Sequence, residues 1–355
     1  MDPVQGHEGE AQNKLIELLH EQNQTTLIEP NKITLGEWLV KWVEKFTKPR
    51  TADTYKGVLK NHLVPKLGAI RLQELKPMHL ETYYREQRGT LSESTLEQHH
   101  MIISGCLKAA ERNGLVPRNV AKFVDDKPKP TADVHAEVEQ HCWTEEEQAR
   151  FFAAAQAAGT QPAAFYGLGL ETGMRKSELG GLRWKDVDLV KGEIRLREQI
   201  VLRPGHPFTF GPLKGKRPHT LSLSAETVAL LRRHKAHQAE VKLQAGGKYH
   251  DHGLVFAREW GGKYDTLGEP LHLNNIGQRE FATLSKAAGV RRIKFHGMRH
   301  TNATLALADG ESPKVVQERL GHKKITTTLD IYAHVLPEQN RAAADRMGAR
   351  LHGKR

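Results

Sequence analysis

At 355 residues, with 38% hydrophobic and 27% charged side chains, the chain has enough apolar material for two ordinary domains and is not a disordered polymer. Its formal net charge of +11 favours a polyanionic partner, nucleic acid before a membrane surface, because neutralising a phosphate backbone releases counterions. Cys106 and Cys142, without CxxC or Cys/His spacing, argue against a disulfide framework or a zinc module, and neither a signal-peptide pattern nor an apolar run of spanning length occurs, so a soluble cytoplasmic protein is expected.

In chain order, residues 1–32 are polar, with a short amphipathic helix expected over Ala11–Glu21 and no chemistry of their own. Residues 33–125 read as a helical domain. Thr34 and Glu37 form a capping-box pattern ahead of Leu35, Trp38, Leu39, Trp42 and Phe46, which share one apolar side. A second helix is expected over about Thr51–Leu63, a third from Pro77, and a longer fourth from Ser92 to Gly114. Lys56, Lys60, Lys66, Arg71 and Lys76 give this domain a scattered basic face suited to phosphate contact. Residues 126–141, polar and carrying two prolines, read as a linker, so that two lobes can close around a rod-like ligand such as a duplex.

A second domain over residues 142–355 opens with another capping box, Thr144 and Glu147, and continues through two helices to ETGMRKSELGG. There Arg175 stands at a helix start, with Glu178 placed to hold the local backbone or the Arg175 guanidinium. Residues 193–223 switch to a strand period, and the Gly/Pro-rich turn between the strands carries Lys214, Lys216 and Arg217. A hairpin of this kind can deliver an ammonium to a leaving oxygen, and its register leaves Lys214 and Lys216 as alternatives. A basic helix over 224–243, a short strand at Leu254–Phe256, a helix over Asn274–Ala288 and a terminal helix over 337–350 complete the expectation. The overall class is mainly α with a small antiparallel β-sheet.

The most informative stretch runs from His296 to Tyr332. A helix is expected over Gly297–Asp309, a second capped by Ser312 with Pro313 at its first position and ending at Gly321, and a third over Thr327–His334 carrying Tyr332. Short helices with tight turns can bring His296, Arg299, His322 and Tyr332 to one pocket. Arginine offers a permanent, forked set of donors for phosphate oxygens. Histidine exchanges protons near neutrality. Tyrosine can act as a covalent nucleophile.

The ordered set Arg175, Lys214, His296, Arg299, His322 and Tyr332, in the phrases TGMRKSELGGLRWKDVDL, LKGKRPHTLSL, FHGMRHT and LGHKKITTTLDIYAHV, resembles the tyrosine recombinase family of the phage-integrase type. The resemblance spans about residues 33–345. It implies a two-domain DNA clamp: a helical, SAM-like core-binding domain followed by an α+β catalytic domain. Arg175 and Arg299 would clamp the scissile phosphate, and Tyr332 would attack it, leaving a 3′-phosphotyrosyl link. Lys214 would protonate the departing 5′-oxygen, His296 would take or hold the tyrosine proton, His322 would bond the phosphate, and Glu178 would support the site from behind. The two arginines and Lys214 take the electrostatic place that metal ions fill in other phosphoryl-transfer enzymes, so no ATP, cofactor or metal is called for.

The partners implied are double-stranded DNA and a homo-tetramer on two DNA sites, with accessory DNA-bending or directionality factors and no membrane. The resemblance also implies a bacterial, nucleoid-associated setting in the cytoplasm and the integration or excision of a mobile element as the task. The short segment before residue 33 looks like the join to a shortened or missing arm-binding domain. Gly297 stands where an acidic residue is usual, and His219 where the family often has arginine. Two other readings stay open, a type IB topoisomerase and a non-catalytic DNA-binding protein on the same scaffold.

Overall fold

The computed structural model describes residues 29–46, 49–129, 140–203, 205–215, 217–259, 266–332 and 336–353. The expectations for Ala11–Glu21, for Lys216 and for most of the linker lie outside them. Two compact units divide the chain, residues 1–131 and 132–355.

The first unit is helical. Helix α1 (Leu35–Val43) starts at a complete capping box, in which the Thr34 hydroxyl accepts from the Glu37 backbone N–H and the Glu37 carboxylate accepts from that of Thr34. Helix α2 (Pro49–Val58) runs through a π turn at Leu59–Leu63 into α3 (Val64–Leu67). The widened turn comes just before Pro65, whose ring and missing N–H cannot be fitted into an unbroken α-helix. Helix α4 (Pro77–Gln87) begins on its proline, and α5 (Glu93–Arg112) on Ser92, which accepts from the Thr95 N–H.

The apolar faces of these helices meet in a core containing Leu35, Leu39, Leu63, Leu80, Tyr84 and Ile103. The buried Trp38 indole donates to the Cys106 carbonyl at 3.0 Å, tying α1 to α5. Lys56, Lys60, Lys66, Arg71 and Lys76 are all exposed, with Lys66 and Arg71 paired to Glu86 and Glu74. Exposed pairs of that kind contribute little to stability.

The second unit is built around α7 (Thr160–Thr172), which is buried over nearly its whole length and packs against α6 (Glu145–Ala157), α9 (Ala225–Ala245) and α12 (Gly297–Ala308). A helix that is apolar on all sides belongs inside a core. Trp143, Phe151, Phe165, Tyr166, Phe256, Phe281 and Phe295 fill that core with edge-to-face and tilted ring contacts. Helix α8 (Lys176–Leu179) follows the left-handed Gly173 at the end of α7.

Two small antiparallel sheets come next. One has strand order β1 (Val187–Asp188), β2 (Glu193–Leu196), β5 (His219–Ser222); the other pairs β3 (Glu198–Val201) with β4 (Thr209–Pro212). The alternating run 193–202 is therefore not one strand, since β2 and β3 pair with different partners on either side of Arg197. Leu254–Phe256, expected as a short strand, is buried but makes only an isolated bridge at Leu254, with another at Ala257 just beyond it. The helix expected over 274–288 is helical in three joined pieces, α10 (Leu273–Asn275), a π turn at Ile276–Glu280 and α11 (Phe281–Ala287). The chain closes with α13 (Pro313–Leu320), α14 (Ile325–Tyr332) and α15 (Leu336–Leu351).

Candidate active site

Arg175 is the N-cap residue of α8. The buried Glu178 carboxylate accepts its backbone N–H at 2.8 Å and its guanidinium at 2.9 Å. One carboxylate thus holds both backbone and side chain, which fixes where the guanidinium can point. With Glu178 almost wholly buried, this pair is better shielded than a surface ion pair.

Arg299, near the start of α12, is only 3% exposed. It donates to the Gly173 carbonyl at 2.8 Å and to the Leu320 carbonyl at 2.6 Å, joining the ends of α7 and α13. The C-terminal carbonyls of α7 have further partners. Asn302 donates to those of Leu170 and Glu171, and Arg319 to that of Glu171. Carbonyls at a helix end lack intrahelical donors, so these side chains weld α7 to α12 and α13. Burial first, and then Arg175, draw the Arg299 guanidinium down to about 10, with Glu178 pulling the other way; it remains a cation at neutral pH.

Gly321 ends α13 in the left-handed conformation, φ 64°, and a Cβ there would lie 2.7 Å from the His219 ring. Glycine meets both demands, and His322 follows at once. Its backbone carbonyl accepts from Gln317 at 2.9 Å, and its Nδ1 lies 2.9 Å from the Thr328 hydroxyl. Burial, then Arg299 and Arg175, hold the His322 imidazole down at about 3.

The turn after β4 passes over the same corner, where a Cβ on Gly215 would lie 3.0 Å from the Gly321 carbonyl oxygen. Lys214 is exposed on that turn and close enough to depress the titration of His296. His296 precedes α12. The surrounding protein, then His300, Arg299, Arg175 and Lys214, push its imidazole down to about 3. Solvent reaches the His296 side chain, so burial alone is a weak cause there; the downward direction rests on the basic neighbours.

The departure at Gly297 has a steric reason, since a Cβ there would stand 2.3 Å from the His141 carbonyl oxygen. No larger side chain fits without moving the chain. The other departure, His219, supplies the ring that packs on Gly321.

Tyr332 ends α14 and is 1% exposed, packed in an apolar cluster with Cys142, Ala303, Leu307, Val316 and Leu320. Burial pushes its hydroxyl well above the usual phenol range, and Arg299 partly offsets this. Its hydroxyl lies 2.9 Å from Nδ1 of His300. His300 was not singled out by sequence reasoning; the only hint is its place beside Arg299, one helical turn after His296.

The fold therefore gathers Arg175, Arg299, His296 and His322 within electrostatic reach of one another, with Lys214 in reach of His296 and Glu178 in reach of Arg299. Such a concentration of positive charge favours an anion. The tyrosine hydroxyl sits beside it, within the field of Arg299.

The sequence profile of the Phage integrase family matches residues 142–339, and that of the phage integrase N-terminal SAM-like domain matches residues 34–87. The chain is 28% identical to the "Tyrosine recombinase XerC-like" protein of Caldanaerobacter subterraneus subsp. tengcongensis, over 95% of this chain and 88% of that one. It is 26% identical to an integrase of Streptomyces ambofaciens, over 91% of this chain and 82% of its relative. Among solved structures, the Tn1549 transposon integrase in complex with transposon right end DNA superposes with a TM-score of 0.72 at 20% identity, covering 89% of this chain and 100% of that chain. A λ integrase tetramer bound to a Holliday junction gives 0.57 at 18% identity, covering 83% and 79%. At these identities the structural likeness shows the fold, and the sequence profiles show the family. The chain belongs to the phage integrase family and is a site-specific tyrosine recombinase.

Proposed function

We propose that this recombinase cuts and rejoins double-stranded DNA through a 3′-phosphotyrosyl link on Tyr332, as the integrase of a mobile element. The observation that carries the reading is the convergence of two arginines, a lysine and two histidines on one anion-sized surplus of positive charge beside a tyrosine hydroxyl. Arg175 and Arg299 take the non-bridging oxygens and stabilise the charge that builds on them in the transition state. As the Tyr332 oxygen bonds to phosphorus, the bond to the 5′-oxygen breaks and Lys214 supplies that oxygen with its proton. His322 donates to the phosphate, His296 assists proton exchange at the mouth of the site, and Glu178 keeps Arg175 aimed. A 5′-hydroxyl from the partner duplex then reverses the step and exchanges strands.

Tyr332 is almost wholly buried, so the side chains covering it part to admit the scissile phosphate before the hydroxyl meets a phosphorus atom. The helical first unit, with its exposed lysines and arginine, supplies phosphate contacts. The Tn1549 integrase bound to transposon DNA and the λ integrase tetramer on a Holliday junction support duplex DNA as substrate and a tetramer as the working assembly.

The test is a recombination assay on paired duplexes carrying the DNA that flanks the gene. The reading expects recombinant joints of both parental arms. Relaxation of supercoils with no recombinant joint would instead indicate topoisomerase action on one duplex.

A further inference from the structure

We propose that His300, not His296, is the catalytic residue that takes the hydroxyl proton of Tyr332. This inference rests on the reading of Tyr332 as the nucleophile.

The geometry is direct. The Tyr332 hydroxyl oxygen lies 2.9 Å from His300 Nδ1, within the reach a general base needs. The two rings are 5.9 Å apart between centroids and tilted by 54°, so the contact is made at the edge of the imidazole rather than by stacking. His300 sits on α12 one turn beyond His296, and residues four apart share a helix face. Their rings meet edge to face at 5.0 Å and 88°. His296 is thus the outer member of the pair, exposed at the mouth, and His300 the inner, half-buried member that touches the phenol. Helix α12 is itself locked in place by the Arg299 bonds to Gly173 and Leu320 and by the Asn302 bonds to the end of α7. A base mounted there is rigidly placed.

The chemistry calls for such a group. A buried phenol does not ionise on its own near neutrality, and proton removal must accompany attack. Imidazole is the side chain best matched to that transfer at neutral pH. In the forward step the proton passes from the Tyr332 oxygen to His300 Nδ1 while the O–P bond forms. The P–O5′ bond breaks, and the departing oxygen takes a proton from Lys214. Cleavage leaves His300 protonated and Lys214 neutral, and rejoining returns both protons along the same path. Arg299 stands next in the chain and favours the developing phenolate. One turn of helix therefore holds both the phosphate clamp and the base.

A purely structural hydrogen bond at the same place would merely hold Tyr332 in its pocket. Three full-length proteins separate the two roles: wild type, His300→Ala and His300→Gln. Each is given nicked duplexes bearing the DNA that flanks the gene, and single-turnover covalent attachment is timed. The wild-type adduct is mapped by peptide sequencing. We expect attachment at Tyr332, and a loss of about 10²–10⁴-fold in rate for both variants, the range for a missing general base. Glutamine keeps a hydrogen-bond partner but accepts no proton, so it should not rescue the rate. Added imidazole should restore the alanine variant in proportion to its free-base fraction. A 5′-bridging sulfur, which leaves without a proton, should rescue Lys214→Ala but not His300→Ala. If His300→Ala attaches DNA as fast as wild type or faster, or if His300→Gln restores the full rate, the bond only positions Tyr332 and the inference is wrong. A wild-type adduct on another residue would overturn the nucleophile reading itself, a result distinct from either.

Discussion

Arg299→Lys separates what the guanidinium does for the fold from what it does for the reaction. The side chain is 3% exposed, and two of its nitrogens bond the Gly173 and Leu320 carbonyls, which lie on different segments. One ammonium on a shorter stem keeps the charge and reaches one of those carbonyls at best. The loss is one charge-assisted hydrogen bond, worth about 1.5–3 kcal/mol, together with part of the cost of a buried carbonyl left without a donor. A total of about 2–4 kcal/mol follows, because the two contributions overlap. For a unit of this size each kcal/mol moves the melting temperature by roughly 2–4 °C, so a drop of about 4–16 °C is expected.

The effect on chemistry is separate. Without the fork the variant loses one donor to the phosphate oxygens, and cleavage should slow by about 10²–10³-fold, as when an oxyanion donor is removed. The assay pairs thermal melting by circular dichroism with single-turnover cleavage well below both melting temperatures. A variant that melts within a degree or so of wild type and cleaves normally would refute the reasoning about Arg299 on both counts.

Tyr332→Phe should abolish covalent attachment while leaving DNA affinity nearly intact and costing only about 0.5–1.5 kcal/mol for the bond to His300; loss of binding in a gel-shift titration would undo the nucleophile assignment. Glu178→Gln keeps one acceptor oxygen but removes the charge that holds Arg175 from two sides, so a loss of about 1–3 kcal/mol and slower cleavage are expected, and a variant as stable and active as wild type would show that the Arg175 clasp is idle. His296 and His322 titrate well below their ordinary range in the native protein, so on acidification the unfolded chain binds their protons first. Their contribution to stability is whole above about pH 6.5 and is lost progressively as pH falls towards about 3, so the melting temperature without DNA should decline across that window, and less steeply in His322→Asn; an unchanged slope would contradict the assignment.

Much of the fold was legible because its helix boundaries are local chemistry. Thr34, Ser92, Thr144 and Ser312 all cap where side-chain oxygen and spacing place them, and Pro77, Pro313 and Gly321 punctuate as expected. What escaped was tertiary. The break at Arg197 depends on which strands pair with β2 and β3, and no alternation pattern encodes partners. Leu254–Phe256 has the composition of a strand but finds its hydrogen bonds at single bridges. The π turns at 59–63 and 276–280 leave no periodic trace.

For the candidate site, residue chemistry pointed to His296, Arg299, His322 and Tyr332, and the resemblance to tyrosine recombinases added Arg175 and Lys214 to the set. Which histidine meets the phenol was not readable. His296 and His300 share a helix face, and the choice depends on how α14 lies against α12. The support given by Asn302 to the end of α7 was equally hidden, because its two acceptors are about 130 positions away. The burial of Tyr332 follows from the same packing of Cys142, Leu307 and Leu320, residues scattered along the chain.

Covalent capture tests the central claim most directly. The protein is incubated with duplexes carrying the DNA that flanks its gene, stopped with SDS, and the adduct is digested to identify both the modified peptide and the attached nucleotide. A 3′-phosphate on Tyr332 at one recurrent position is the predicted result. An adduct on a different residue, or a 5′-phosphate linkage, would contradict the account.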